Sequence, residues 1–198
     1  MKNTKTTLSI SAAFLAGSVL LAGCATAGTE HTGTDHAAGT EASRQAPVEA
    51  HNSADTMFAQ MMIPHHEQAV EMSEIMLDKA SVSPELAKLA TQIKDAQAPE
   101  ISLMESWLTA WGESRTVDHG MAMDGMLGEA ELDSLKSARG GQSEELFLQQ
   151  MIEHHLGATK MAEEALASGK NSKVLDLSRA IITTQNAEIS HMREMLKK

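Results

Sequence analysis

The chain has 198 residues, of which 42% are hydrophobic and 22% charged, and a formal net charge of −11. An acidic surface of that size repels nucleic acid and concentrates cations, which argues against a DNA or RNA partner and is compatible with cation capture. The one cysteine, Cys24, excludes a disulfide framework, so soft-metal chemistry in the domain falls to the 14 methionines and 9 histidines.

The first residues read as an export signal rather than as part of the fold. Lys2 and Lys5 form a positive start, Leu8 to Leu21 is an apolar run, and Leu21-Ala22-Gly23-Cys24 places small residues ahead of the cysteine. This is the layout of a bacterial lipoprotein signal over residues 1–23, with Cys24 as the lipidated first residue of the mature protein. The alternative for Cys24 is an ordinary free or buried thiol. The run is short for a membrane span and rich in small residues. An anchor of more than one acyl chain would hold the exported protein at the outer face of the cell membrane, or at a membrane facing the periplasm. Loss of Lys2 and Lys5 with the signal takes the formal charge from −11 to −13.

Residues 24–53 contain almost no large apolar side chain and are expected to form a flexible tether. His31, His36 and His51 lie in it, as solvated linker residues or as groups that pass a cation inward. Residues 54–198 are the right size for one domain with one core.

Strand signals are nearly absent from this domain, which has no tyrosine and apolar residues at three- and four-residue intervals. Phe58, Met61 or Met62, His65, Ala69, Met72 and Met76 trace one face of a first helix. Ser83-Pro84-Glu85 starts a second, whose stripe runs from Leu86 through Ile93, Gln97 and Met104 to Trp111 and closes at Gly112. A connection over residues 113–142 holds a short helix around Glu129 to Ala138. A third long helix follows Ser143 and stops at Gly169, and a fourth carries Val174, Ile181, Gln185, Ile189 and Met192. Pro64 and Pro99 fall within the stripes; both read as kinks, the alternative being a first helix that starts at Pro64.

The two halves repeat. Met57 to His66 is answered at an offset of 89 by Leu146 to His155, with Phe, Met-Ile, His-His, Ala and Met in register. Gln97 to Met104 is answered at an offset of 88 by Gln185 to Met192. Two hairpins (54–112 and 143–198) burying their stripes against each other predict an all-α four-helix bundle.

The repeated His65-His66 and His154-His155 carry the chemistry. Adjacent residues on a helix project about 100° apart, so one of each pair faces the core and the other its edge. Met62 and Met151 lie a turn before, and Met72 and Met161 two turns after. Imidazole suits Cu(II) and zinc, and thioether selects Cu(I), so each helix offers half of a copper site. A methionine stripe is also ordinary core packing. Four imidazoles buried without ligands, however, would be costly. In the connection, His119, Met121, Met123 and Met126 form a possible second cluster, or a loop that docks on the bundle. Gln97 and Gln185, polar on apolar stripes, are candidates to orient imidazoles.

Enzyme signatures fit less well. His66-Glu67-Gln68-Ala69-Val70 lacks the second histidine of a zinc protease. Glu188-x-x-His191 has the spacing of a carboxylate-bridged di-iron bundle, but the matching Glu100-x-x-Leu103 lacks the histidine.

The doubled His-His-x-x-Ala-x-x-Met motif and the Gln-x-x-Glu-Ile-x-x-Met pattern ending each half resemble the exported family of domain of unknown function 305, which includes copper-binding, CopM-like members. The resemblance spans nearly all of residues 55–198. It implies a ferritin-like bundle with a copper-associated, non-catalytic envelope role, and it adds Met104 and Met192 to the candidate ligands. The expected function is an anchored copper-binding protein that buffers Cu(I) or Cu(II), or passes it to an envelope copper-handling partner. A redox-active copper or iron oxidase in the same pocket, and a metal-free interaction module, stand as alternatives.

Overall fold

The computed structural model describes residues 50–116 and 123–198. The export signal, Cys24, most of the tether, and His119 and Met121 lie outside the described residues. Five helices follow in order: α1 (Ser53–Leu77), α2 (Pro84–Trp111), α3 (Glu129–Ser137), α4 (Gly141–Ser168) and α5 (Ser172–Met195). α1 pairs with α2 and α4 with α5, and the two hairpins meet chiefly along α1 and α4. The fold is an all-α, ferritin-like bundle built from a duplicated helical hairpin.

Local chemistry sets the helix ends. The Asn52 side chain accepts from the amides of Ala54 and Asp55, while the Asp55 carboxylate accepts from the Asn52 amide, a reciprocal capping box. α1 therefore begins at Ser53 and runs through Pro64, which overturns a start at Pro64. The residues around the proline, Met62, Ile63, His65 and His66, are all buried, and that packing offsets the lost backbone hydrogen bond. α2 likewise runs through Pro99, starts at the Ser83 cap and ends at Gly112, whose φ of +72° is the left-handed conformation of a helix stop. His51, assigned to the tether by the sequence, stacks on Trp111 with ring centroids 4.4 Å apart.

The hairpins also cap each other. Asp55 on α1 is fully buried, and its carboxylate accepts from the amides of Lys170 and Asn171 just before α5. Glu144, its counterpart at the offset of 89, accepts from the amide and hydroxyl of Ser83 just before α2. Each first helix thus places a carboxylate at the positive end of the other hairpin's second helix.

The core falls into two apolar clusters. One joins Phe58, Met62, Met104, Trp107, Met161 and Ile181; the other joins Met72, Met76, Ile93, Phe147, Met151 and Met192. Because α1 and α4 run antiparallel, the two His-His pairs fall between these clusters, as a polar waist in an apolar bundle.

The connection closes one side of the waist. Gln68, two residues past His66, exchanges two hydrogen bonds with the backbone of Leu127, at 2.9 and 2.7 Å. Its counterpart on α4 is Gly157, where an added Cβ would stand 1.9 Å from the Asp124 carbonyl oxygen. Gly125, at φ +82°, approaches the Glu153 carbonyl so closely that a Cβ would lie 2.6 Å from it. An amide side chain on one helix and a missing one on the other dock the strap across both. Among the described residues no helix is long and apolar enough to cross a membrane.

Candidate metal centre

The waist holds four buried imidazoles in two kinds of environment. His65 and His154, from α1 and α4, bring their ring centroids to 3.7 Å with planes tilted by 38°. His66 and His155 face outward toward the second helix of their own hairpins. Nε2 of His66 stands 2.7 Å from Oε2 of Glu100 on α2, and Nε2 of His155 stands 2.7 Å from Oε2 of Glu188 on α5.

Since a carboxylate only accepts, Nε2 of each outer ring is the donor, and Nδ1 of the neutral ring carries the lone pair. Those two Nδ1 atoms and both ring nitrogens of His65 and of His154 are buried without a hydrogen-bond partner. An unsatisfied buried polar atom costs about 1–3 kcal/mol, so six in one layer are a standing cost that a ligand would relieve.

The electrostatics keep the inner rings neutral. Burial pushes the His65 imidazole down to about 3, reinforced by His66 and, more weakly, His155, with the Asp124 backbone opposing. His154 is held well below the ordinary histidine range, first by burial and then by His65, His155 and His66. A neutral imidazole with a free lone pair is the form that binds a metal.

The candidate thioethers divide evenly about this layer. Met62, Met104 and Met161 lie in the cluster on one side, and Met72, Met151 and Met192 in the cluster on the other; all six are buried. The offsets exchange the two trios, so the approximate two-fold relation of the hairpins passes through the histidine layer. Among the described residues, no three His, Cys, Asp or Glu side chains converge to hold a metal ion by themselves. Imidazole with thioether is then the donor set on offer, and that mixture suits a soft cation.

The other expectations meet the geometry as follows. Met123 and Met126 are half-buried in the connection strap. Gln97 and Gln185 are buried, but their carbonyl oxygens meet no donor. The imidazoles are instead held one turn further on, by Glu100 and Glu188, which the sequence reading did not single out as partners. The signal was present, since both repeat at the offset of 88 three residues after each glutamine. Glu188 is thereby engaged with His155, and His191 is exposed, so the pair does not assemble as a di-iron motif would require.

Residues 55–196 match the family model described as Domain of unknown function (DUF305). The chain belongs to the DUF305 family. Three solved structures place it among its relatives. A DUF305 protein of Streptomyces coelicolor, designated secreted, is 35% identical, with a TM-score of 0.70 over 73% of this chain and 91% of that one. A DUF305 fragment from Deinococcus radiodurans is 31% identical, with a TM-score of 0.67 over 74% and 97%. CopM in its Cu(I)-bound form is 35% identical, with a TM-score of 0.62 over 72% and 95%. CopM is also known in Cu(II)-bound and silver-bound forms. A comparison with curated proteins finds no match. The histidine waist is the candidate centre of this DUF305 domain, because there the repeat brings a pair of buried imidazoles from each half together.

Proposed function

We propose that this DUF305 protein is an exported, lipid-anchored copper-binding protein that buffers copper or hands it to an envelope partner, and that it is not an enzyme. The observation that carries the reading is the buried layer of unpartnered imidazole nitrogens with three buried thioethers on either side. His65 and His154 would be the inner ligands. His66 and His155 would offer Nδ1 from rings steadied by Glu100 and Glu188. Met62, Met72, Met104, Met151, Met161 and Met192 would supply the thioethers, which favour Cu(I), while the imidazoles also accept Cu(II). Copper is cargo here: the chain's own residues bind it, exclude water and keep the imidazoles unprotonated. The Cu(I)- and Cu(II)-bound forms of CopM support copper as that cargo, and the Streptomyces relative supports an extracytoplasmic place.

Titrating the metal-free protein with Cu(II), and with Cu(I) under reductant, tests the reading. Tight binding is expected in the wild type and a loss of about 100-fold or more in His65→Ala/His154→Ala, since both hairpins contribute a ligand. Full stoichiometry in that variant would sink it, and oxygen-dependent turnover of the loaded protein would replace it with the oxidase reading. Anchoring is tested separately: Cys24→Ala is expected to leave the protein unprocessed or released from the membrane fraction.

A further inference from the structure

Where the start of α1 passes the end of α4, the flank of the bundle carries a groove of about 310 Å³. Met57, Phe58 and Met61 of α1 line it from one side, and Met161, Glu164 and Ser168 of α4 from the other. Three thioethers therefore share one groove with an exposed carboxylate, and no lysine, arginine or histidine is among the lining residues. Met57 is 45% exposed and is the one exposed methionine among the described residues, so the groove offers a thioether side chain directly to solvent.

The repeat does not require sulfur at these positions. At the offset of 89, Met57 is answered by Leu146 and Met61 by Gln150. Leu146 is half-buried against the core, and the Gln150 side chain donates to the Glu131 carbonyl on α3 at 3.2 Å. A leucine and an amide thus serve the same helix face in the second hairpin, and the thioethers belong to the first alone. The groove also lies in line with the waist. α1 and α4 run antiparallel, with Asn52 bonded to the Ser168 carbonyl. Met61 and Met57 precede His65 by four and eight residues, and Met161 follows His154 by seven. A rise of about 1.5 Å per residue sets them about 6, 12 and 10 Å from the histidine layer, on the same side of it. Met161 serves two places: it lines the groove, and it belongs to the apolar cluster of Met62 and Met104 that flanks the imidazoles.

We propose that Met57, Met61 and Met161 form an entry site for one soft monovalent cation, Cu(I) or its analogue Ag(I), from which the ion passes inward along the thioethers to the waist. The inference rests on the copper-binding reading for the ion's destination, but not for the groove's own affinity. Thioether is a neutral, soft donor that selects Cu(I) over hard cations. The Glu164 charge beside it attracts cations to the groove without changing that preference. A site open to water exchanges its ion more readily than the buried imidazole layer, and that difference directs the ion inward.

The experiment counts bound Ag(I) by calorimetry at about pH 5, where exposed histidines are protonated and do not compete. It uses the full chain carrying His65→Leu/His154→Leu, which removes the inner ligands of the waist. Adding Met57→Leu/Met61→Leu is expected to abolish the binding of one Ag(I). That swap conserves volume and apolar surface, so the fold and any apolar contact are kept. In a second measurement the wild type, with its waist intact, takes Cu(I) from a chromophoric chelator under reductant. Met57→Leu/Met61→Leu is expected to slow that uptake about tenfold and to leave the final affinity of the waist unchanged. Equal Ag(I) stoichiometry with and without the two substitutions makes the groove a plain apolar surface and overturns the proposal. Equal uptake rates overturn it as well, by placing the entrance elsewhere. A wild type whose waist takes no copper would sink the copper reading, while the Ag(I) count still decides whether the groove binds.

Discussion

His66 and Glu100 join α1 to α2 by one hydrogen bond, Nε2 to Oε2 at 2.7 Å, and this contact decides which nitrogen of the ring faces the core. With Nε2 committed to the carboxylate, Nδ1 is left as the free lone pair. His155 and Glu188 repeat the arrangement in the second hairpin at the same 2.7 Å. The glutamates thus fix the tautomer of the outer imidazoles without entering the core themselves.

Glu100→Gln and Glu188→Gln keep an acceptor opposite each imidazole, whereas Glu100→Leu and Glu188→Leu leave a buried N–H with none. The leucine variants are expected to lose about 1–3 kcal/mol each, and the glutamine variants less than half of that. Urea denaturation of the metal-free proteins checks it. Equal losses in both series would mean the carboxylate charge, rather than the hydrogen bond, carries the contact.

The inner pair presents the opposite case. No ring nitrogen of His65 or His154 has a partner within hydrogen-bond geometry, the backbones of Asp124 and His65 acting on them only against the larger effect of burial, so apolar side chains of similar size remove an unmet demand. His65→Leu/His154→Leu is expected to raise the stability of the metal-free protein by about 1–3 kcal/mol and to abolish the stabilisation that copper confers. Thermal unfolding with and without metal measures both. A destabilised variant would indicate that the two rings are paired in solution.

The same burial predicts an acid-sensitive apo form. In the folded chain His65 titrates near 3 and His154 well below its ordinary value, whereas in the unfolded chain both titrate near 6.5. Between those limits the unfolded state binds more protons, so stability is complete above about pH 6.5 and falls as pH drops toward 3. Each histidine is expected to cost about 1 kcal/mol per pH unit in that window. Urea midpoints measured at neutral pH and at about pH 5 should show the loss, and His65→Leu/His154→Leu should flatten it. An unchanged slope in that variant would assign the acid sensitivity elsewhere.

The strap over the waist rests on a missing side chain. A Cβ at Gly157 would stand 1.9 Å from the Asp124 carbonyl oxygen, a backbone atom that cannot swing aside. Gly157→Ala is expected to lift residues 123–127 from α4, to cost about 1–3 kcal/mol, and to speed hydrogen exchange in α4 around His154. Wild-type exchange rates there would show that the strap accommodates the methyl group.

The fold and much of the candidate site are legible in the sequence. The periodicity of Phe58, Met62, His65, Ala69 and Met72 places them on one helix face, and the offsets of 89 and 88 require the second hairpin to repeat the first. Those patterns are local, with a period imposed by the helix itself, so they survive without tertiary knowledge. Ser83 and Gly112 mark helix ends for the same reason: capping is settled within a few residues.

What only the tertiary structure decided are the pairings across helices. Nothing in a one-dimensional pattern says that Glu100 reaches His66, that Asp55 caps α5 while Glu144 caps α2, or that Gly157 is small because Asp124 lies against it. Gln97 and Gln185 stood out in sequence as polar residues on apolar stripes, yet the imidazoles donate to the glutamates one turn further along. A stripe reports which face of a helix is buried; the rotation and separation of the packed helices determine which atom on that face meets which neighbour. Those depend on side-chain volumes summed over both hairpins, a property of the whole core that no single segment carries.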